Sequence, residues 1–190
     1  MASPMNINKI DTTKITLGTV RRRGSAKFRS FSYDDDKPLL LKWPEMLAPF
    51  GLTQFSENDR YNLCVYLDED NEQHGEIKKF IEDIQSLVKD ETDADARDLI
   101  KPPTERYAAR IDLTLDVTDL KKYPDIRDLE GELVDELKPN STVQSIIHVQ
   151  HVYLKGSVAF IKLSCVAIQL NAEPEQGSPL ELCANPFFEA

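Results

Sequence analysis

Apolar and polar positions alternate over Lys14-Ile-Thr-Leu-Gly-Thr-Val20, and Lys27-Phe-Arg-Ser-Phe-Ser-Tyr33 is rich in aromatics and stops at an acidic turn. This pattern predicts two strands joined at Arg23-Gly24-Ser25. Pro38 to Trp43 predicts a short strand stopped by Pro44, and Tyr61 to Leu67 a strand with Tyr61, Leu63, Val65 and Leu67 on one face. The period then changes. Ile77, Phe80, Ile81, Ile84, Leu87 and Val88 recur at helical spacing and predict an amphipathic helix, followed by an exposed charged loop from Lys89 to Arg97. Pro102-Pro103 leads in extended form to a strand with Tyr107, Ala109, Ile111, Leu113 and Leu115 inward and Arg106, Arg110 and Asp112 outward. The piece from Leu120 to Pro139 fits neither period. Thr142 to Leu154 and Ser157 to Leu170 form a hairpin signal around Lys155-Gly156.

One helical pattern among many strands excludes a strand-helix alternation and therefore a parallel α/β sheet. The expectation is a single mainly β domain with an inserted helix, an antiparallel Greek-key barrel of the oligonucleotide/oligosaccharide-binding (OB) type. Residues 1–12 are expected to be a flexible N-terminal segment, 13–171 the barrel, and 172–190 an acidic, Pro-containing tail ending in the aromatics Phe187 and Phe188.

Charge changes the picture. The 190 residues carry 33 Asp and Glu against 23 Lys and Arg, a net charge of −10, which as a sum disfavours nucleic acid. Yet from Lys9 to Arg29 the only acid is Asp11, against Lys9, Lys14, Arg21, Arg22, Arg23, Lys27 and Arg29. The excess acid lies in Asp34 to Asp36, in Glu57 to Asp98 and after Lys162. Binding depends on where charges lie. No apolar run is long enough for a membrane helix, and the first residues lack a signal-peptide pattern, so an intracellular or virion-packaged product is expected. Cys64, Cys165 and Cys183 are too widely spaced for a metal site and read as buried small hydrophobes at the first two positions.

Catalytic motifs are absent: there is no phosphate loop, no Gly-x-Ser-x-Gly and no His-Glu-x-x-His. His148 and His151, three apart on a strand, are expected on opposite faces, and His74 reads as an ordinary helix-end histidine. Asp34 to Asp36 and Asp68 to Asp70 read as solvated turns. No enzyme activity, metal or cofactor is expected.

The basic segment stands apart because aromatics interleave with it. On a strand, Lys27, Arg29, Phe31 and Tyr33 share one face, and Phe28, Ser30 and Ser32 the other. Cations beside flat rings suit single-stranded nucleic acid, since phosphates need charge and unstacked bases need π surfaces, each stack contributing about 1–3 kcal/mol. A core role for Phe31 and Tyr33 is the alternative. Arg21, Arg22 and Arg23 would sit in the loop between the first two barrel strands, beside the OB ligand groove. Arg106 and Arg110 would extend the path, Trp43 is either a stacking base or a core plug, and Lys42 and Lys155 complete the set of candidates.

Pro38-Leu-Leu-Leu-Lys-Trp-Pro-Glu-Met-Leu-Ala-Pro-Phe-Gly-Leu52 resembles a "PL…P.M..PFG(L/I)" segment of the single-stranded DNA-binding proteins of large nucleocytoplasmic DNA viruses, the group that includes African swine fever virus. Tyr61 to Leu67 with the following helix, Pro102-Pro-Thr-Glu-Arg-Tyr107, and Val152 to Leu170 continue the likeness in order, over roughly residues 10 to 170. Departures are Ser157-Val158-Ala159, where a second glycine or an aromatic is expected, and Tyr153 in place of a tryptophan. The resemblance implies an OB-like domain that coats single-stranded DNA without strong sequence preference during viral replication, in host cytoplasm or nucleus. The tail resembles those of bacterial and phage single-stranded DNA-binding proteins that recruit replication proteins. RNA binding and self-association stay open. A virion-associated protein-interaction module is the alternative function.

Overall fold

The structure is a computed structural model that describes residues 3–24, 26–34, 36–55, 60–115 and 125–173. In chain order it contains β1 (Met5–Asn6), two 3-10 turns (Ile7–Lys9 and Thr12–Lys14), β2 (Ile15–Leu17), β3 (Arg21–Arg23), β4 (Ala26–Tyr33), β5 (Leu39–Ala48), β6 (Leu52–Phe55) and β7 (Arg60–Tyr66). There follow α1 (Glu72–Thr92), β8 (Asp95–Ala96), β9 (Ile100–Lys101), β10 (Arg110–Leu115), β11 (Ile126–Arg127), β12 (Ser141–Lys155) and β13 (Val158–Ala172).

Five strands make the barrel wall in the order β5-β12-β13-β10-β7, with β10 and β13 parallel and the other neighbours antiparallel. This is the partly open OB arrangement. The hydrogen-bonded sheet is not closed: β1 and β6 stand at its ends, and no ladder joins β5 to β7. The chain bridges that seam itself, since β5 leads through Pro49-Phe50-Gly51 into β6, which pairs with β7.

The long strands bend at bulges, and each bulge reverses which residues face inward. In β5 the pairs Gln144↔Glu45 and Ile146↔Lys42 leave an extra residue at Trp43-Pro44. Leu39, Leu41 and Trp43 are buried before it, and Met46 and Ala48 after it. Pro44 therefore does not stop the strand, as its missing N–H suggests on sequence grounds; it occupies the irregularity where no ladder donor is needed. In β13 the step from Ile146↔Ala167 to Ile147↔Cys165 moves burial from Ile161 and Leu163 to Ile168 and Leu170.

The predicted helix is longer than its apolar repeat. Asn71 caps it, its side-chain oxygen accepting the Gln73 N–H at 2.9 Å, and Asp93 ends it in a left-handed conformation, φ 56°. His74, Ile77, Phe80, Ile81, Ile84 and Val88 form the buried stripe that plugs the barrel. The expected loop from 89 to 97 supplies the last helical turn and β8, which pairs with β13. The N-terminal segment is tied to the body: β1 pairs with β5, Ile7 is buried, and Thr12 Oγ1 donates to Asp83 at 3.0 Å. The irregular piece before β12 buries Leu137, and β11 pairs with β13.

Gly51 turns the corner between β5 and β6 with φ +61°, and a Cβ there would lie 2.2 Å from the Leu137 carbonyl oxygen. Gly51→Ala should therefore cost about 3 kcal/mol or more, from strained φ and a backbone clash together. Gly156→Ala, with φ +62° but nothing within 4 Å, should cost only about 1–2 kcal/mol. Urea unfolding of both variants checks the difference.

Candidate nucleic-acid interface

The second and third barrel strands, β7 and β10, form the face that binds ligands in OB folds. Their register pairs Arg110 with Tyr66, Asp112 with Cys64 and Thr114 with Asn62 on the face away from the core, where Cys64 is nonetheless buried, while Leu63, Val65, Ile111 and Leu113 point into the core. At the corner, the Phe50 ring stands edge-on to Tyr66 at 6.4 Å and to Tyr107 at 5.8 Å. The Arg110 guanidinium lies 5.1 Å over the Tyr107 ring, and its Nη1 is buried with no hydrogen-bond partner among the described residues. Lys101 pairs with Asp112. Arg106 is exposed on the turn before β10, where Thr104 Oγ1 accepts the Tyr107 N–H at 3.2 Å. Aromatic edges and a guanidinium thus share one half-buried patch. The nearby Cys64 thiol, pushed up to about 12 by burial and by Asp112, stays protonated and unreactive.

The basic triplet lies elsewhere. The first barrel strand is β5, so Arg21–Arg23 is not the loop between the first two barrel strands; it is itself β3, hairpinned onto β4. Arg21 and Arg22 are exposed, and the Arg23 side chain lies outside what is described. Pairing of β4 with β12 turns the Lys27, Arg29, Phe31, Tyr33 face toward the body. Phe31 is 4% exposed and Tyr33 packs against the core, so the expected stacking set on β4 is on the wrong face of the strand. Arg29 is a strut: Nε donates to the Gly18 carbonyl (2.7 Å), Nη2 to Leu17 (2.9 Å), and Nη1 to the Glu91 carbonyl in the last turn of α1 (3.0 Å). It satisfies a helix-end carbonyl that has no intrahelical partner, and it is not available to phosphate. Trp43 is the core plug, 1% exposed. Lys42 is exposed opposite Ile146, far down β12 from the hairpin turn where Lys155 is exposed. Phe187, Phe188 and Cys183 lie outside the described residues.

The opposite face of β4 joins a row that single-strand alternation does not reveal. Arg21 pairs with Phe28, Phe28 with Tyr153, and Tyr153 with Phe160, so all four project from one side of the sheet. The Tyr153 and Phe160 rings are 6.1 Å apart, and the Arg97 guanidinium lies 5.9 Å from the Phe160 centroid. Between Val149↔Leu163 and His151↔Lys162 the extra residue Gln150 forms a bulge that sends His151 and Tyr153 outward. The same bulge brings His148 and His151 to one groove, correcting the expectation of opposite faces. The His151 ring is 6.0 Å from Phe28. Among the described residues no group of three His, Cys, Asp or Glu side chains could hold a metal. His74 is a buried bridge, its Nδ1 accepting the Asp68 N–H (2.9 Å) and its Nε2 facing the Glu45 carbonyl (2.8 Å).

Phe28, Tyr153, Phe160 and Arg97 were not among the sequence candidates. One signal was legible: a turn centred on Gly156-Ser157 places Tyr153 opposite Phe160 by counting outward. The β4 partner and the bulge were not legible.

Fold and face together define an OB-like architecture with aromatic and cationic side chains on its outer surface. No protein-family model and no curated protein sequence matches the chain. Among solved structures, the single-stranded DNA-binding protein from bacteriophage Enc34 in complex with ssDNA is similar with a TM-score of 0.50 and 14% identity, over 84% of this chain and 97% of that one. Another structure of that phage protein gives 0.47 at 14% identity (87% and 96% covered), and the bacteriophage T7 single-stranded DNA-binding protein 0.44 at 12% (80% and 100%). At such identity the first of these similarities is one of fold.

Arg29→Ala should destabilise the protein by about 1.5–3 kcal/mol, because a charged donor to three carbonyls is lost, whereas Lys27→Ala should change stability by under about 0.5 kcal/mol. Thermal or urea unfolding separates them. Burial, then Lys162 and His148, hold the His151 pKa below its ordinary 6.5. The folded state therefore binds the proton less readily than the unfolded chain. Stability is flat above pH 6.5 on this account and falls as pH drops below it. His151→Asn should remove that component from a plot of melting temperature against pH.

Proposed function

We propose that the protein is a non-catalytic single-stranded DNA-binding protein that coats exposed strands during DNA replication, with little sequence preference. The carrying observation is the patch that Tyr66 and Arg110, on the strand pair that faces ligand in OB folds, make with Phe50 and Tyr107 beside it. Rings of this kind stack on any base, which makes binding tolerant of sequence. Arg110 and Arg106 supply charge for phosphate. The likeness to the Enc34 protein, whose structure holds single-stranded DNA, supports the same ligand. The viral resemblance of residues 38–52 supports viral replication as the setting, at the replication site in the infected cell. Replication proteins remain the proposed partners of residues 172–190.

Labelled oligo-dT should bind with an affinity that falls log-linearly with salt, each neutralised phosphate contributing a slope of about −0.7. Arg106→Gln with Arg110→Gln should flatten that slope by about 1 or more and weaken binding at every salt concentration. Fluorescence anisotropy across a salt series measures both. A wild-type protein that ignores oligo-dT at micromolar concentration and low salt would be an interaction module instead.

A further inference from the structure

We propose that the outer face of β3, β4, β12 and β13 is a second track for the same single strand, with bases on Phe28, Tyr153 and Phe160 and phosphates along Arg21, Arg97, Lys155 and Lys162. This rests on the single-strand reading above and extends it to a surface away from the β7–β10 patch.

Three half-exposed rings lie in consecutive ladder positions, closed at one end by Arg21 and at the other by Arg97. Neighbouring strands are about 4.8 Å apart, so the row from Arg21 to Arg97 extends about 19 Å. Side chains two residues along the same strands keep the face cationic: Lys155 next to Tyr153 on β12, and Lys162 next to Phe160 on β13. The one acid in the adjoining register, Asp95 opposite Val158, is paired with Lys89. In a chain of net charge −10, a face with four such cations, whose adjoining described acid is ion-paired, selects a polyanion over a protein surface. At the Phe28 end the row opens into a groove of about 700 Å³ lined by Arg21, Ser30, Lys37, His148 and His151, with Asp36 the only acid among the described residues that line it. That groove offers donors and room to a phosphate and its sugar.

The two tracks connect through residues 95 to 101. β8 pairs with β13 beside Phe160, and β9 pairs with β10 beside Arg110. A strand leaving the β7–β10 patch past Lys101 meets Arg97 and then Phe160. A short oligonucleotide would occupy one track and a longer one both.

The test uses labelled oligo-dT of about 6 and about 16 nucleotides, one near the short end and one at the long end of the site sizes of about 4–16 nucleotides per OB fold. The variant is Phe28→Leu with Phe160→Leu, which keeps apolar bulk in the sheet and removes π surface. Wild type should bind the longer oligonucleotide more tightly than the added length alone explains. The variant should lose that gain, at least about fivefold, with the short-oligonucleotide affinity and the melting temperature unchanged. Arg97→Gln should reduce the salt slope for the longer oligonucleotide only. Wild-type affinity of the variant for the longer strand would overturn the second track and leave the functional reading standing. So would a wild-type dimer that the variant dissociates with no change in either affinity, since the face would then hold a second copy. Failure of wild type to bind either length would remove the functional reading itself, and this inference with it.

Discussion

β12 has no free edge, and the rest of the molecule is arranged around that fact. One side pairs along its length with β13; the other pairs first with β5, from Ser141 to Val149, and then with β4, from His151 to Leu154. The change of partner falls at the Gln150 bulge. A regular strand would have carried the inward phase of Val143, Ser145, Ile147 and Val149 on to His151 and Tyr153. The bulge instead buries Val152 and turns His151 and Tyr153 to solvent. One extra residue thus converts a core strand into the centre of an exposed aromatic row.

The same device recurs wherever the wall must curve. Trp43-Pro44 in β5 and Val166 in β13 each reverse the buried phase, and Gly51 makes the corner that no residue with a Cβ fits. These bends give a small barrel an interior that one helix can plug. The plug is held at its C-terminal end by Arg29, whose three donors tie β4 to the β2–β3 connection and to the last turn of α1. Carbonyls that would otherwise need water are met by one cation, so Arg29, one of the residues expected to meet phosphate, has a structural duty.

Element types were legible because most segments keep one period for long enough: the helix from its 3.6-residue stripe, the terminal hairpin from its β-branched runs, and Cys64 and Cys165 as buried thiols. Much of what escaped has one physical cause. Period-2 reasoning assigns faces only within a regular ladder, and each bulge inverts the assignment downstream. Hence the two histidines, separated by the Gln150 bulge, do not diverge, and Pro44 does not end β5 because it sits at a bulge that needs no donor. In β4, which has no bulge, alternation separates Phe31 from Phe28 without saying which face meets the body. Pairing partners far along the chain, such as Phe28 with Tyr153, leave no local signal.

A net charge of −10 is compatible with a polyanion ligand because of range. At physiological ionic strength the screening length is about 8 Å, so a phosphate at contact feels the side chains of its own face far more than the sum over the molecule. The acids are placed accordingly. Asp68 to Asp70 form a turn at the start of α1, where the Asp68 carboxylate accepts the Asp70 N–H, and Glu82, Asp90 and Glu91 lie on the helix that plugs the barrel. The helix and its leading turn carry many of the acids, and Asp112 and Asp95, on the candidate faces, are each paired with a lysine. The total charge then bears on solubility and on approach from a distance, and the register of β3, β4, β12 and β13 sets which side chains a ligand would meet on that face.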